Sequence, residues 1–111
     1  MEIRKDGSDQ KSLYATRAYC PGEVVHFLRG DVYPQPSRTS IQIGSAEHIE
    51  DHFGACMNHS FDPSCFIRER VVFANREIYE GDELTFDYTT TESNMAYPFI
   101  DSETGKWVQG K

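Results

Sequence analysis

The apolar residues of this chain come in short runs of β-branched and aromatic side chains, each broken within a few residues by proline, glycine or a polar turn. Ser12-Leu13-Tyr14-Ala15-Thr16 runs into a turn at Tyr19-Cys20-Pro21-Gly22. Glu23-Val24-Val25-His26-Phe27-Leu28 is stopped by Arg29-Gly30-Asp31, and Pro34 and Pro36 break the next stretch. Strand-like sequence resumes at Thr39-Ser40-Ile41-Gln42-Ile43, at Val71-Val72-Phe73-Ala74 and at Glu83-Leu84-Thr85-Phe86-Asp87. Such a chain cannot build long helices, so the pattern predicts a mainly β domain. One segment reads as a short helix, Ala46 to Phe53, with Ser45 as N-cap and acids in its first turns. At that length it needs sheets to pack on. Residues 89 to 111 lose strand periodicity and read as a C-terminal flap or tail.

With 111 residues the chain allows one domain, spanning 1–111, and no separate cofactor domain. Any site must be made by the strands and loops that hold the fold together. No repeat or linker divides the sequence. Hydrophobic residues make up 38% and charged residues 26%, a globular balance, and no apolar run approaches the ~20 residues of a membrane span. The start, Met1-Glu2-Ile3-Arg4-Lys5, leads into polar sequence rather than a secretory signal. The expected location is therefore intracellular and cytoplasmic, with the nucleus also compatible.

The net charge is −7, which disfavours a nucleic-acid partner, since that partner requires a basic face. An acidic surface suits simple solubility and equally suits a basic peptide. Cys20, Cys56 and Cys65 are odd in number and lack a paired spacing, which argues against a disulfide framework and against a zinc site. His48 and His52 would lie i, i+4 on the expected helix, but without a third ligand they read as a solvated face, so no metal is expected.

Two segments concentrate polar chemistry. Asn58-His59-Ser60 directly follows the apolar Ala55-Cys56-Met57, so hydrogen-bonding groups stand at the edge of a core. Such a cluster either holds a turn or receives a ligand. It also matches a glycosylation sequon, a coincidence in a chain without a signal peptide. In the second segment, Glu80-Gly81-Asp82 makes a turn and the strand Glu83-Leu84-Thr85-Phe86-Asp87 delivers Tyr88 at its end. A tyrosine there is ordinarily an amphipathic rim residue.

Taken together and in order, these segments resemble the signature motifs of the SET-domain family. Asn58-His59-Ser60-Phe61-Asp62-Pro63-Ser64 resembles the family's Asn-His-Ser-Cys-x-Pro-Asn, and Gly81 through Tyr88 resembles Gly-Glu-Glu-Leu-Thr-Phe-Asp-Tyr. Upstream, Leu13-Tyr14-Ala15-Thr16-Arg17 and Pro21-Gly22-Glu23-Val24-Val25 resemble the family's opening. The resemblance covers a core of about residues 5–99, leaving 100–111 as tail. Three departures stand out. Gln10 and Ser12 replace the glycines of the opening Gly-x-Gly, Phe61 replaces a cysteine that in many members binds zinc, and the tail has no cysteine. The last two agree with each other and imply a zinc-free variant, with Cys56 and Cys65 as small core residues.

The resemblance implies a fold of small curved β-sheets with a C-terminal pseudo-knot. It implies an S-adenosylmethionine-dependent methyltransferase acting on a lysine side-chain amine of a protein substrate. By the same resemblance Tyr88 is the catalytic tyrosine, Asn58 and His59 bind the cofactor, and the backbone at Lys11, Ser12 and Leu13 completes its pocket. Phe86 either supports its strand or lines a substrate channel, and Trp107 is a candidate lid over that channel. A homodimer could complete the peptide groove. Two other readings remain open: a non-catalytic SET-fold binding module, suggested by the missing glycines, and a methyltransferase for small amines.

Overall fold

A computed structural model describes residues 1–5, 7, 10–93, 99–101 and 104–108. In chain order the strands are β1 (Glu2–Lys5), β2 (Lys11–Tyr14), β3 (Val24–Phe27), β4 (Gly30–Tyr33), β5 (Ile41–Gly44) and β6 (Glu47–Asp51). After these come β7 (Asn58–His59), β8 (Cys65–Arg68), β9 (Val71–Ala74), β10 (Thr85–Phe86), β11 (Phe99–Ile100) and β12 (Trp107–Val108). The only helical elements among the described residues are single 3-10 turns at Gly54–Cys56 and Tyr88–Thr90.

Among the described residues the strands form five small sheets rather than one large one. β1 pairs with β2, β9 lies between β3 and β8, and β6 lies between β4 and β5, all antiparallel. Their inner faces meet in one core that includes Leu13, Leu28, Ile49, Val72, Ile78 and Leu84, each nearly or wholly buried. Cys56 and Cys65 belong to that core, and burial pushes the Cys65 thiol up to about 11, so it stays protonated and inert.

The expected helix over Ala46–Phe53 is instead strand β6. Ala46 takes a left-handed conformation (φ 54°) that closes the β5–β6 hairpin and stops a helix at its first residue. Strand neighbours on both sides then satisfy the backbone between Glu47 and Asp51, which outweighs the local helical preference of the segment. The neighbour β4 was not expected as a strand. It can approach because residue 30 is glycine: a Cβ there would lie 1.8 Å from the Glu50 carbonyl oxygen. His48, expected on a solvated helix face, is buried in the middle of this sheet. Asp51 ends β6, and its carboxylate accepts from the Arg29 and Gly54 amides and meets His26 Nε2 at 2.9 Å. Burial opposes its charge, but those hydrogen bonds together hold the carboxyl below the usual carboxylate range.

The run after the Glu80-Gly81-Asp82 turn is clamped from both sides. On one side the Leu84 amide donates to the Leu13 carbonyl and the Ala15 amide to the Asp82 carbonyl. On the other, β10 pairs in parallel with β7, Thr85 opposite Asn58 and Phe86 opposite His59. Ser64 adds a cross-tie: its hydroxyl donates to the Glu83 carbonyl and accepts from the Thr85 amide. Chain regions far apart in sequence are thus laced together around β10, and the two polar motifs lie edge to edge.

The tail is not featureless. β11 and β12 form a short antiparallel pair, with Asp101 accepting from the Thr104 amide in the turn between them. Residues 94–98, 102, 103 and 109–111 of the expected tail lie outside the described residues.

Candidate active site

β7 presents two consecutive polar side chains in a strand only two residues long. Asn58 reaches away from β10 into a small network. Its Nδ2 donates to Ser12 Oγ and to Glu83 Oε2, each at 2.8 Å, and its Oδ1 accepts from Gln10 Nε2 at 3.0 Å. These groups open on a cavity of about 550 Å3, inside the ~300–1,000 Å3 span of small-molecule sites. Gln10, Asn58, His59, Ser60 and Thr85 line it together with Asp62, Asp82, Glu83, Asp101 and Arg76. Four carboxylates against one guanidinium give this cavity a negative character. Arg76 lies 3.3 Å from Asp62 in an exposed pair.

His59 turns the other way. Its imidazole is almost completely buried, and Nδ1 accepts the backbone amide of Tyr88 at 3.0 Å. Rings close around it edge-on: Phe61 at 4.3 Å, Tyr88 at 5.2 Å and Phe99 at 5.9 Å between centroids. Tyr88 sits at the start of the 3-10 turn, capped by the Asp87 carboxylate, which accepts the Thr89 amide. The Tyr88 hydroxyl donates to the Met57 carbonyl at 2.6 Å, and its ring packs on Phe86 at 4.8 Å. Burial, followed by the neighbouring carboxylates Glu92 and Glu83, pushes this phenol well above its ordinary range. It is therefore a fixed, protonated donor and not a base.

The structure gathers most of the expected residues, though not in one environment. Asn58, His59 and Tyr88 are brought together by the parallel pairing of β7 with β10. Ser12 joins them through Asn58, whereas Leu13 is fully buried, with its carbonyl bonded to the Leu84 amide. Lys11 is an exposed member of β2 and does not line the cavity. Phe86 is buried under Tyr88, the strand-supporting position. Trp107 is half exposed on β12, and it is Phe99, on the partner strand, whose ring meets both His59 and Tyr88. Phe99, Glu83 and Glu92 were not expected as functional side chains, whereas Gln10 was noted as a departure in the loop expected beside the cofactor. Glu83 stands inside the recognised motif and could have been found there; Phe99, beyond it, leaves no local signal.

Phe61 occupies the position of the family's zinc-binding cysteine. Its ring packs on His59 and lies 5.5 Å from the Lys106 ammonium, so this contact links the tail pair to β7.

Comparison with known proteins bears on this geometry. The family model described as the SET domain matches residues 4–89, which include every residue of the β7–β10 pairing. The chain belongs to the SET-domain family. Among solved structures 86 chains match. One is a Plasmodium falciparum protein provisionally assigned as a histone methyltransferase, 15% identical, with 78% of this chain and 94% of that chain covered and a TM-score of 0.62. At that identity the likeness is one of fold. No curated protein matches. SET domains are in general protein-lysine methyltransferases that use S-adenosylmethionine. The cavity of this SET domain fits such a group in its chemistry: carboxylates suit a sulfonium cation with an ammonium end, and amide and hydroxyl groups suit its polar atoms.

Proposed function

We propose that this SET domain transfers a methyl group from S-adenosylmethionine to the side-chain amine of a lysine in a protein substrate. The observation that carries the reading is the Tyr88 hydroxyl, held on the Met57 carbonyl beside a strand whose next residue, Asn58, faces an acidic cavity. Asn58 and the backbone at His59, with Ser12 and Glu83 behind them, would hold the cofactor. When bound, the cofactor supplies an electrophilic methyl carried on a positively charged sulfur.

The chain's own residues do the rest by placement. Tyr88 keeps its proton, so its hydroxyl orients the reacting groups and does not deprotonate the lysine. His59 fixes the start of the turn that carries Tyr88 through the 3.0 Å bond to the Tyr88 amide. Phe86 and Phe99 pack on the Tyr88 ring and Phe61 packs on His59, an apolar surround that would keep water from Tyr88. A lysine entering apolar surroundings beside a cation loses its preference for the ammonium form, so alignment and dryness replace a strong base. The cavity's carboxylates steer a basic segment of substrate toward the site.

The test is methyl transfer to a lysine-rich protein mixture, read by mass spectrometry. Wild type is expected to add methyl groups to lysine in the presence of S-adenosylmethionine, and folded Tyr88→Phe to do so about 10²-fold more slowly. Full transfer by that variant overturns the role of Tyr88. Transfer to free amines alone would move the substrate class to small molecules.

A further inference from the structure

β10 is two residues long and the segment after it is a single 3-10 turn, so local structure alone holds Tyr88 weakly. The Tyr88 amide is fixed on His59 Nδ1. Its carbonyl accepts from the Thr91 and Glu92 amides, at 3.3 and 2.9 Å, and so depends on where those two residues lie. Glu92 is buried, although a carboxylate is costly to take out of water unless its bonds are met. They are met across the fold. Glu92 Oε2 accepts from the Gln42 backbone amide at 2.8 Å and from Thr91 Oγ1 at 2.7 Å. In return Gln42 Oε1 accepts from the Ser93 amide and hydroxyl, at 2.8 and 2.9 Å. The Gln42 side chain is itself held within β5 by donation to the Gly44 carbonyl. Gln42 and the Glu92-Ser93 pair are therefore clasped in both directions, and the clasp joins β5 to the turn that carries Tyr88.

We propose that Glu92 is a positioning residue for methyl transfer: through its bond to the Gln42 amide it moors the Tyr88 turn to β5 and so sets where the hydroxyl stands. The proposal rests on the reading of Tyr88 as the residue that orients the reacting groups. Glu92 is not among the residues that line the cavity, so loosening it disturbs alignment and not the hold on the cofactor. A tyrosine is protonated at neutral pH without help from a neighbouring charge. A neutral acceptor in place of the carboxylate therefore serves the mooring.

The experiment measures steady-state methyl transfer by the whole chain, with the lysine-rich protein mixture fixed and S-adenosylmethionine varied. Glu92→Ala is expected to lower kcat about tenfold, the scale of one hydrogen bond to a charged group, with KM for S-adenosylmethionine unchanged. Glu92→Gln keeps an acceptor for the Gln42 amide and is expected to lose no more than about threefold. Gln42→Ala removes the reciprocal bonds to Ser93 and leaves Glu92 in place, and about a threefold loss of kcat is expected. That variant carries the test should Glu92→Ala not fold. Amide hydrogen exchange in the cofactor-free protein gives a readout apart from activity: the Thr90 and Thr91 amides are expected to exchange about tenfold faster in Glu92→Ala than in wild type. Unchanged kcat in either folded alanine variant, unchanged exchange, or equal losses in Glu92→Gln and Glu92→Ala overturns the mooring and leaves the Tyr88 reading standing. A raised KM with kcat retained overturns it too, since that places the effect of Glu92 in binding. No transfer by wild type overturns the methyl-transfer reading and the mooring with it.

Discussion

Asn58 and His59 are neighbours on one two-residue strand, yet they serve opposite environments. Asn58 meets Gln10, Ser12 and Glu83 at the wall of an open, acidic cavity. His59 is enclosed by Phe61, Tyr88 and Phe99 and gives its ring nitrogen to a backbone amide. The alternation of a β-strand produces this division, because successive side chains leave it on opposite faces. One face can exchange its hydrogen bonds with a ligand; the other cannot exchange anything without unpacking. A single strand therefore separates the task of holding a molecule from the task of keeping water away from the reacting atoms.

The largest expected effect lies on the dry face. Tyr88→Phe removes the hydroxyl that sits on the Met57 carbonyl, and methyl transfer is expected to fall by about 10²-fold, the scale of a lost alignment, with circular dichroism unchanged. Retained activity would mean that the dry face only packs. On the wet face, Asn58→Ala removes the donor that joins the Glu83 carboxylate to the Ser12 hydroxyl. It is expected to cost about 1–3 kcal/mol in urea unfolding and to weaken cofactor binding. Phe99→Ala opens the ring cluster from the tail side, and a loss of about 1–2 kcal/mol is expected in thermal unfolding, below the ~3–5 kcal/mol of a fully buried phenylalanine. Equal losses of cofactor affinity from Asn58→Ala and Phe99→Ala would erase the division between the two faces.

A control away from both faces is Asp51, which ties β6 to the Arg29 and Gly54 amides and to His26. Its folded pKa lies below the unfolded value of about 3.9, so its contribution is fully present above that pH and is lost as pH falls through the folded value. Asp51→Asn is expected to cost about 1 kcal/mol at neutral pH and to flatten the acid limb of the stability curve, while leaving cofactor affinity unchanged. The smallest change is expected from Trp107→Ala. Half exposed on β12, it should alter unfolding free energy by less than about 0.5 kcal/mol. A marked loss of methyl transfer in that variant would instead give Trp107 the lid role suggested by the sequence.

The motif residues were legible because their chemistry and order are local: Asn-His-Ser at the edge of an apolar run, and a turn leading into a strand that ends in tyrosine. Strands β2, β3 and β9 were legible from β-branched and aromatic runs between turn residues. β6 was not, because Ala-Glu-His-Ile-Glu-Asp carries helical preference in isolation and only β4 and β5 on either side overrule it. The strand β4, with a glycine at its start and a proline just after it, shows no periodicity, since all four of its residues are exposed. Within the site, Phe99 could not be found from sequence, because what makes it relevant is a contact across the fold. Gln10 was visible as a departure from the family's glycine, but its partner Asn58 lies 48 positions away.

The clamping of β10 between the Leu13–Ala15 segment and β7 also bears on the order in which the molecule assembles. β7 and β10 are separated by the whole β8–β9 hairpin, so their parallel register closes a longer loop than the hairpin does, at a higher entropic cost. Both candidate faces depend on that register. On the way to the native state the chain would pass through forms with β8 and β9 already joined and no competent site. Refolding monitored by cofactor binding would then report formation of this register rather than of the hairpin.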